Sequence, residues 1–171
     1  MSGHTILHGE DEIRARVEAL GRDIAQAPLK PDFAAIIMSG AFVFAADLLR
    51  ALSREGLSLP VEFLWLRAYA DRRSGGEVTV LLGPSERIRG RTVLIIDGVL
   101  DRGDTLAKAR TLLLEAEAAS TITAVAVDKM REDAVLRSHH ALFRGDDGFL
   151  IGYGMDDAGR ERGLPYIAVV P

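Results

Sequence analysis

The stretch TVLIIDGVLDRGDTLAKARTLLLEA, residues 92–116, restricts the possible folds more than any other part of the chain. Its four consecutive apolar residues, 93–96, read as a strand buried on both faces, the habit of a parallel sheet. The run breaks off at Asp97, and DGVLDRGDT follows with two glycines and three acids. Leu106, Ala109, Leu112, Leu113 and Ala116 then recur at helical spacing, which predicts a helix starting near Asp104 or Thr105. A strand that feeds a helix through a tight polar loop leaves first-turn N–H groups pointing outward without partners, and that is a place for an anion. Three carboxylates there would repel a bare phosphate. They suit a ligand that brings a divalent cation, or one with sugar hydroxyls and a developing positive charge.

The same strand–loop–helix grammar occurs earlier. Residues 33–38 form an apolar run closed by Ser39-Gly40, and Phe42, Ala45, Leu48, Leu49 and Leu52 follow at helical spacing, with Gly56 marking the helix end. Ahead of them, residues 5–7 read as a short strand, and Ile13, Val17, Leu20 and Ile24 as one face of a helix that Pro28 and Pro31 terminate. Residues 61–66, 78–82, 122–127, 141–143 and 166–170 are further strand candidates, and 131–140 is a polar loop with a helical turn. Apolar runs alternating with helical stretches predict an α/β fold with a mainly parallel, twisted sheet flanked by helices, and ligands at the carboxyl ends of the strands. The 171 residues form one domain, 1–171, with no internal repeat.

Composition removes several function classes. A net charge of −4 speaks against nucleic acid as a partner. With no cysteine there is no disulfide framework, thiolate metal site or thiol nucleophile. No signal peptide opens the chain and no apolar run is long enough to span a membrane, so a cytoplasmic location is expected. His4, His8, His139 and His140 make no metal-ligand pattern and read as surface histidines. Ser39 lacks a nucleophile elbow, and GVLDRGDT is neither a P-loop nor a dinucleotide fingerprint.

The polar groups at the strand ends are Ser39-Gly40, residues 97–105, Asp128-Lys129, and Phe149 with Asp156. In a parallel sheet they can converge on one crevice. Individually each has a plain reading: Lys129 as a solvated lysine, Phe149 as a core or edge aromatic, Asp156-Asp157 as a turn. Residues 71–76 read most simply as a solvated hairpin loop, and alternatively as a lid carrying Tyr69 and the Arg72-Arg73 pair.

Taken together, these segments resemble the type I purine phosphoribosyltransferases of the hypoxanthine–guanine kind. SGAFVFAADLLRAL is similar to that family's KGSFMFLADLVRAI-type segment, RAYADRRSGGEV to its SYG…SSGEV loop, and LIIDGVLDRGDTL to its signature LIVEDIIDTGLTL. VDK matches its purine-reading lysine strand, and FLIGYGMDDAGRERGLPYI its FVVGYGLDYAEKYRNLPYI segment. The resemblance implies the type I fold, with a small hood built from both chain ends. It implies formation of IMP or GMP and pyrophosphate from hypoxanthine or guanine and phosphoribosyl pyrophosphate, with Mg²⁺, in a homodimer or homotetramer.

By the same resemblance, Asp101 is the general acid/base for the proton on purine N7. Lys129 donates to O6, Phe149 stacks on the ring, and Leu150 offers backbone groups to the base edge. Asp156 holds Mg²⁺ through the pyrophosphate, which Arg162 contacts and beside which Ser39-Gly40 sits. Gly103, Asp104 and Thr105 bind the 5′-phosphate, Asp97 holds a ribose hydroxyl, and Tyr69 closes over the site.

This chain departs from the family pattern on the donor side. Gly98 replaces the second acid of the signature, leaving one hydroxyl acceptor fewer and room for a water. Arg102 replaces a small hydroxyl residue and adds a cation that can pair with the phosphate. Asp104 adds a negative charge beside that phosphate unless it caps the helix, and Ser39 stands where Lys is frequent. These changes motivate a second reading, a relative that binds nucleotide as a sensor without turnover. Base preference among hypoxanthine, guanine and xanthine stays open at this level.

Overall fold

The computed structural model describes residues 3–68 and 78–171. The expected lid, with Tyr69, Arg72 and Arg73, lies outside the described residues. The main sheet has six strands: β1 (Phe33–Met38), β2 (Val61–Ala68), β3 (Val78–Leu82), β4 (Thr92–Leu100), β5 (Ser120–Asp128) and β6 (His140–Arg144). Their order is β3-β2-β1-β4-β5-β6. All neighbours are parallel except β2 and β3, which pair antiparallel. A second sheet takes β7 (Thr5–His8), β8 (Phe149–Ile151) and β9 (Ile167–Val170) in the order β7-β9-β8, both pairings antiparallel. This is the small hood assembled from both ends of the chain.

Parallel strands need both faces covered, and the alternation within β1 shows how. Ala34 and Ile36 pack with Ile13, Val17 and Ile24 of helix α1 (Glu10–Gln26) and Phe44 and Leu48 of α2 (Phe42–Arg54). Phe33, Ala35 and Ile37 pack on the other side with Leu106, Ala109 and Leu113 of α3 (Asp104–Glu115). Every residue in this set is buried, whereas of the α2 stripe read from the sequence Phe42 stays 42% exposed.

Chain order reverses between β1 and β4, which lie side by side, with β2 and β3 to one side and β5 and β6 to the other. The loops leaving these two strands diverge and open a crevice at their carboxyl ends. The expected end of the central strand at Asp97 needs correction. β4 continues to Leu100, because β5 runs beside it and pairs Asp97 with Val125, Val99 with Val127 and Leu100 with Asp128. An acid and a glycine thus remain within the ladder instead of opening the loop. The helical turn expected in 131–140 is also absent. A single turn closed by Ala134 N–H to Arg131 O at 3.3 Å takes its place, and His140 already belongs to β6.

Candidate active site

The crevice is built from backbone outward. The Ser39-Gly40 loop after β1 presses its Gly40 carbonyl between Gly98 of β4 and Gly154. A Cβ at Gly98 would stand 2.8 Å from that oxygen and one at Gly154 2.5 Å from it. Gly154 also has φ of 98°, which side chains disfavour. The space at Gly98 therefore holds no water. It is filled by the neighbouring loop, and the missing second acid has a steric reason. Gly98→Asp, although it restores an acid beside Asp97, should push the Ser39-Gly40 loop outward. The expected outcome is a higher KM for the phosphoribosyl donor, by about tenfold, and a lower melting temperature; a lower KM would contradict it.

Asp97 lies at the bottom of the crevice, with Oδ1 accepting from Gly98 N–H at 2.7 Å. A sliver of the residue still reaches solvent, but protein surrounds the carboxyl closely. Desolvation pushes its pKa up to about 7, against the smaller opposing pull of the Gly98 amide. Near neutrality it can therefore offer a sugar hydroxyl either an acceptor or a donor.

Beyond β4 the chain turns through Asp101 and Arg102 to Gly103, whose φ of 89° sets the entry into α3. No side chain caps this helix, so no side-chain acceptor takes up its first-turn N–H groups. Asp104 is not the cap. It pairs with Arg102 at 3.4 Å, so the two unusual charges of this loop neutralise each other where the phosphate would sit. Thr105 stands in the same first turn, half-buried.

Lys129, at the end of β5, is not a solvated lysine. Its side chain is 11% exposed, and Nζ donates to Gly148 O at 2.8 Å and to Asp101 Oδ2 at 3.2 Å. An ammonium has three N–H donors, so one remains for a ligand acceptor. Asp101 also meets Arg131, whose Nε lies 3.3 Å from Oδ1. The hydrogen bond to Asp133, then the charges of Asp101 and Asp133, raise the Arg131 pKa and keep it cationic. Arg131 was not singled out from the sequence, and no local pattern marks it, because a left-handed turn at Met130, with φ of 56°, is what brings it back to Asp101.

Next to Gly148, whose carbonyl Lys129 bonds, the hood contributes Phe149, which is 53% exposed, while Leu150 beside it is buried. The exposure corrects the reading of Phe149 as a core aromatic and leaves its side chain open to a planar ligand. Asp156 is not a partnerless turn residue. Oδ1 pairs with Arg162 Nη2 at 2.7 Å and Oδ2 accepts from Gly159 N–H at 2.8 Å, while Arg162 also donates to Gly154 O at 2.8 Å. These contacts link Arg162, Gly154 and Gly40 in one series. The structure thus brings together Ser39, Gly40, Asp97, Asp101, Lys129 and Phe149 around one crevice, with Asp156 and Arg162 behind the Gly40 loop.

The histidines serve the framework. His8 is half-buried, stacks on Phe143 with 3.5 Å between ring centroids, and bonds Asp146 at 2.8 Å, tying the hood to the main sheet. Burial holds His139 and His140 below the ordinary imidazole range, and His139 bonds Thr123. Behind the crevice, the buried Tyr153 donates to Asp47 at 3.0 Å, and burial, followed by the charge of Asp47, keeps its phenol protonated. Among the described residues no helix is long and apolar enough to cross a membrane.

A switch-point crevice with an uncapped helix N-terminus, an acidic carboxyl, a tethered lysine and an exposed aromatic has the chemistry to suit a phosphorylated sugar and a planar base. The chain belongs to the phosphoribosyltransferase family: the phosphoribosyl transferase domain model matches residues 4–158. Within it the chain is of the hypoxanthine–guanine kind. It is 35% identical over 166 residues to the hypoxanthine phosphoribosyltransferase of Escherichia coli K12, covering 94% of this chain and 92% of that one. It is 31% identical over 168 residues to the hypoxanthine-guanine phosphoribosyltransferase of Bacillus subtilis, covering 96% and 92%. The structure of the Trypanosoma cruzi hypoxanthine phosphoribosyltransferase in complex with the product IMP superposes with a TM-score of 0.86 at 29% identity, covering 99% of this chain and 95% of that one.

Proposed function

We propose that this protein is a purine salvage enzyme that converts hypoxanthine or guanine and phosphoribosyl pyrophosphate into IMP or GMP and pyrophosphate. The observation that supports this reading is the pairing of Lys129 with Asp101 at 3.2 Å and with the carbonyl of Gly148, the residue before the exposed Phe149. In the proposed reaction N9 of the base bonds to C1′ of the sugar as the C1′–oxygen bond breaks and pyrophosphate leaves with that electron pair. The proton on N7 passes to Asp101. The remaining N–H of Lys129 donates to O6, and the amino group that replaces O6 in adenine offers no acceptor there, which favours 6-oxopurines.

Positive charge grows on the ribose as the bond breaks, and Asp97 lies below the position proposed for it. The first-turn N–H groups of α3 at Gly103, Asp104 and Thr105 hold the 5′-phosphate, joined by Arg102. Arg162, bonded to the Gly154 carbonyl next to the Gly40 loop, is proposed to contact the pyrophosphate. Leu150 offers backbone groups to the base edge, and Tyr69 is proposed to close over the site.

Mg²⁺ fits this reading as an ion bound largely through substrate phosphates. Among the described residues no three acidic or histidine side chains group to hold a metal by themselves, whereas Asp156 can supply one carboxylate ligand. When bound, Mg²⁺ would offset the charge gathering on the departing pyrophosphate. A homodimer or homotetramer is also proposed, in the cytoplasm. Phe63, Trp65, Leu81 and Leu82 leave half of their surface exposed on the β2–β3 ribbon, an apolar patch suited to burial against another copy.

A base panel tests the function. With phosphoribosyl pyrophosphate and Mg²⁺, the protein should release pyrophosphate with hypoxanthine, guanine or both, and at least tenfold more slowly with adenine. Well-folded protein that binds nucleotide but releases no pyrophosphate with any 6-oxopurine would sink the enzyme reading.

A further inference from the structure

Asp128 has no place in the proposed chemistry, yet it is the most completely buried charged residue described, 0% exposed. Its Oδ1 accepts from Met130 N–H at 2.9 Å. Its Oδ2 accepts from Ser138 Oγ at 2.8 Å and from Arg144 Nη1 at 2.9 Å. Arg144 extends the cluster to Ser138 Oγ at 3.3 Å and to the Ser138 carbonyl at 3.4 Å. A carboxylate withdrawn from water costs several kcal/mol unless it is paired and fully hydrogen-bonded, and this one is both. Its partners come from two places, the 129–139 connection and the end of β6, so the cluster ties both to the end of β5.

That connection carries the cations of the crevice. Lys129 follows Asp128 directly, and its own N–H is bonded to Leu100 O at 3.0 Å. Met130 has φ of 56°, a left-handed conformation that side chains disfavour, and the bond from Asp128 to its amide holds it there. This turn brings Arg131 back to Asp101. Further along, Val135 N–H bonds Arg102 O at 2.8 Å, so the same connection reaches the phosphate loop. Without the Asp128 carboxylate, the turn between Lys129 and Arg131 loses its anchor, and Arg144 loses its counter-charge.

We propose that the buried Asp128–Ser138–Arg144 cluster is a positioning device for base recognition. It fixes the Lys129 ammonium at the height of the base and so sets the preference for 6-oxo over 6-amino purines. The proposal rests on Lys129 as the O6 donor, and the experiment separates the two.

Steady-state constants for hypoxanthine, adenine and phosphoribosyl pyrophosphate are measured for Asp128→Asn, Ser138→Ala, Arg144→Met, Arg144→Lys and Lys129→Met, with melting temperatures alongside. Asp128→Asn and Arg144→Met should raise the KM for hypoxanthine about tenfold and lower the hypoxanthine-over-adenine ratio of kcat/KM to match, while the donor KM stays within about twofold. Arg144→Lys should recover most of the loss. Ser138→Ala removes one bond and leaves the ion pair in place, so it keeps the test alive if Asp128→Asn fails to fold; it should shift hypoxanthine KM about threefold in the same direction. Equal losses for both substrates, or folded variants with unchanged base selectivity, overturn the proposal. If Lys129→Met abolishes selectivity while the cluster variants keep it, positioning fails and the lysine's role stands. If Lys129→Met itself leaves base KM and selectivity unchanged, the O6 assignment fails and the positioning proposal fails with it.

Discussion

Asp101→Asn is expected to lower kcat for IMP formation by about 10²–10⁴-fold, the usual contribution of a positioned acid/base group. An amide keeps the size of the side chain and can still accept from Lys129, so the crevice should stay intact, but it cannot take the N7 proton. The KM values for base and donor should therefore change much less than kcat. Pre-steady-state mixing checks this by measuring the single-turnover rate at saturating substrates. A single-turnover rate equal to that of the parent protein would show that Asp101 does not carry the proton. The ion pairs at 3.2 Å to Lys129 and 3.3 Å to Arg131 add a second consequence. Arg131 keeps Asp133 as a partner in the variant, through bonds of 2.8 and 3.1 Å, so the loss of the Asp101 charge should leave the 129–139 connection folded.

The second large effect concerns stability against pH. Asp97 has a folded-state pKa near 7, against 3.8 as the ordinary value. The folded protein therefore binds more protons than the unfolded chain between about pH 4 and 7, and stability falls as pH rises through that window. The stabilisation is fully present below about pH 4 and is lost above about pH 7. At about 1.4 kcal/mol per pH unit over roughly three units, the whole effect reaches at most about 4 kcal/mol.

His139 and His140 work against it. Their pKa values are lowered by burial, so their contribution is lost as pH falls, and the two slopes partly cancel in the parent protein. The difference between Asp97→Asn and the parent isolates the carboxyl. The variant should gain on the parent as pH is raised from 5 to 8, by several degrees in melting temperature at about 2–4 °C per kcal/mol. A constant difference across that range would show that Asp97 titrates normally. The same substitution should raise the donor KM, because an amide offers the sugar hydroxyl a fixed pattern where a titrating carboxyl offers either.

The departures at Gly98, Arg102 and Asp104 look like erosion in the sequence and like paired accommodation in the structure. Gly98 admits the Gly40 carbonyl, and Arg102 cancels Asp104. No atom at these positions leaves a buried polar group without a partner; among the described residues no buried side-chain nitrogen or oxygen lacks one. This favours turnover over a binding-only role, and the base panel decides between them.

Much of the fold was legible because its signals are local. Residues 33–38 match β1 residue for residue, and the stripe Ile13, Val17, Leu20, Ile24 is buried as its period requires. The helix start, expected near Asp104 or Thr105 from the helical spacing of Leu106, Ala109, Leu112, Leu113 and Ala116, falls at Asp104. The extension of β4 to Leu100 was not legible, because Asp97 and Gly98 are poor strand residues and only pairing with β5 keeps them in the ladder. Nor could local pattern show that Lys129 is held and sheltered, since its partners Asp101 and Gly148 lie 28 and 19 residues away.

The sequence by itself determined the alternation of strands and helices, the acidic loop before α3 and, through five ordered segments, the family. Those follow from side-chain type and spacing along the chain. Tertiary structure alone decided which acids are buried, which charges cancel and why residue 98 carries no side chain. Each depends on what stands opposite in space: the Gly40 carbonyl against Gly98, the protein around Asp97, and Ser138 and Arg144 around Asp128.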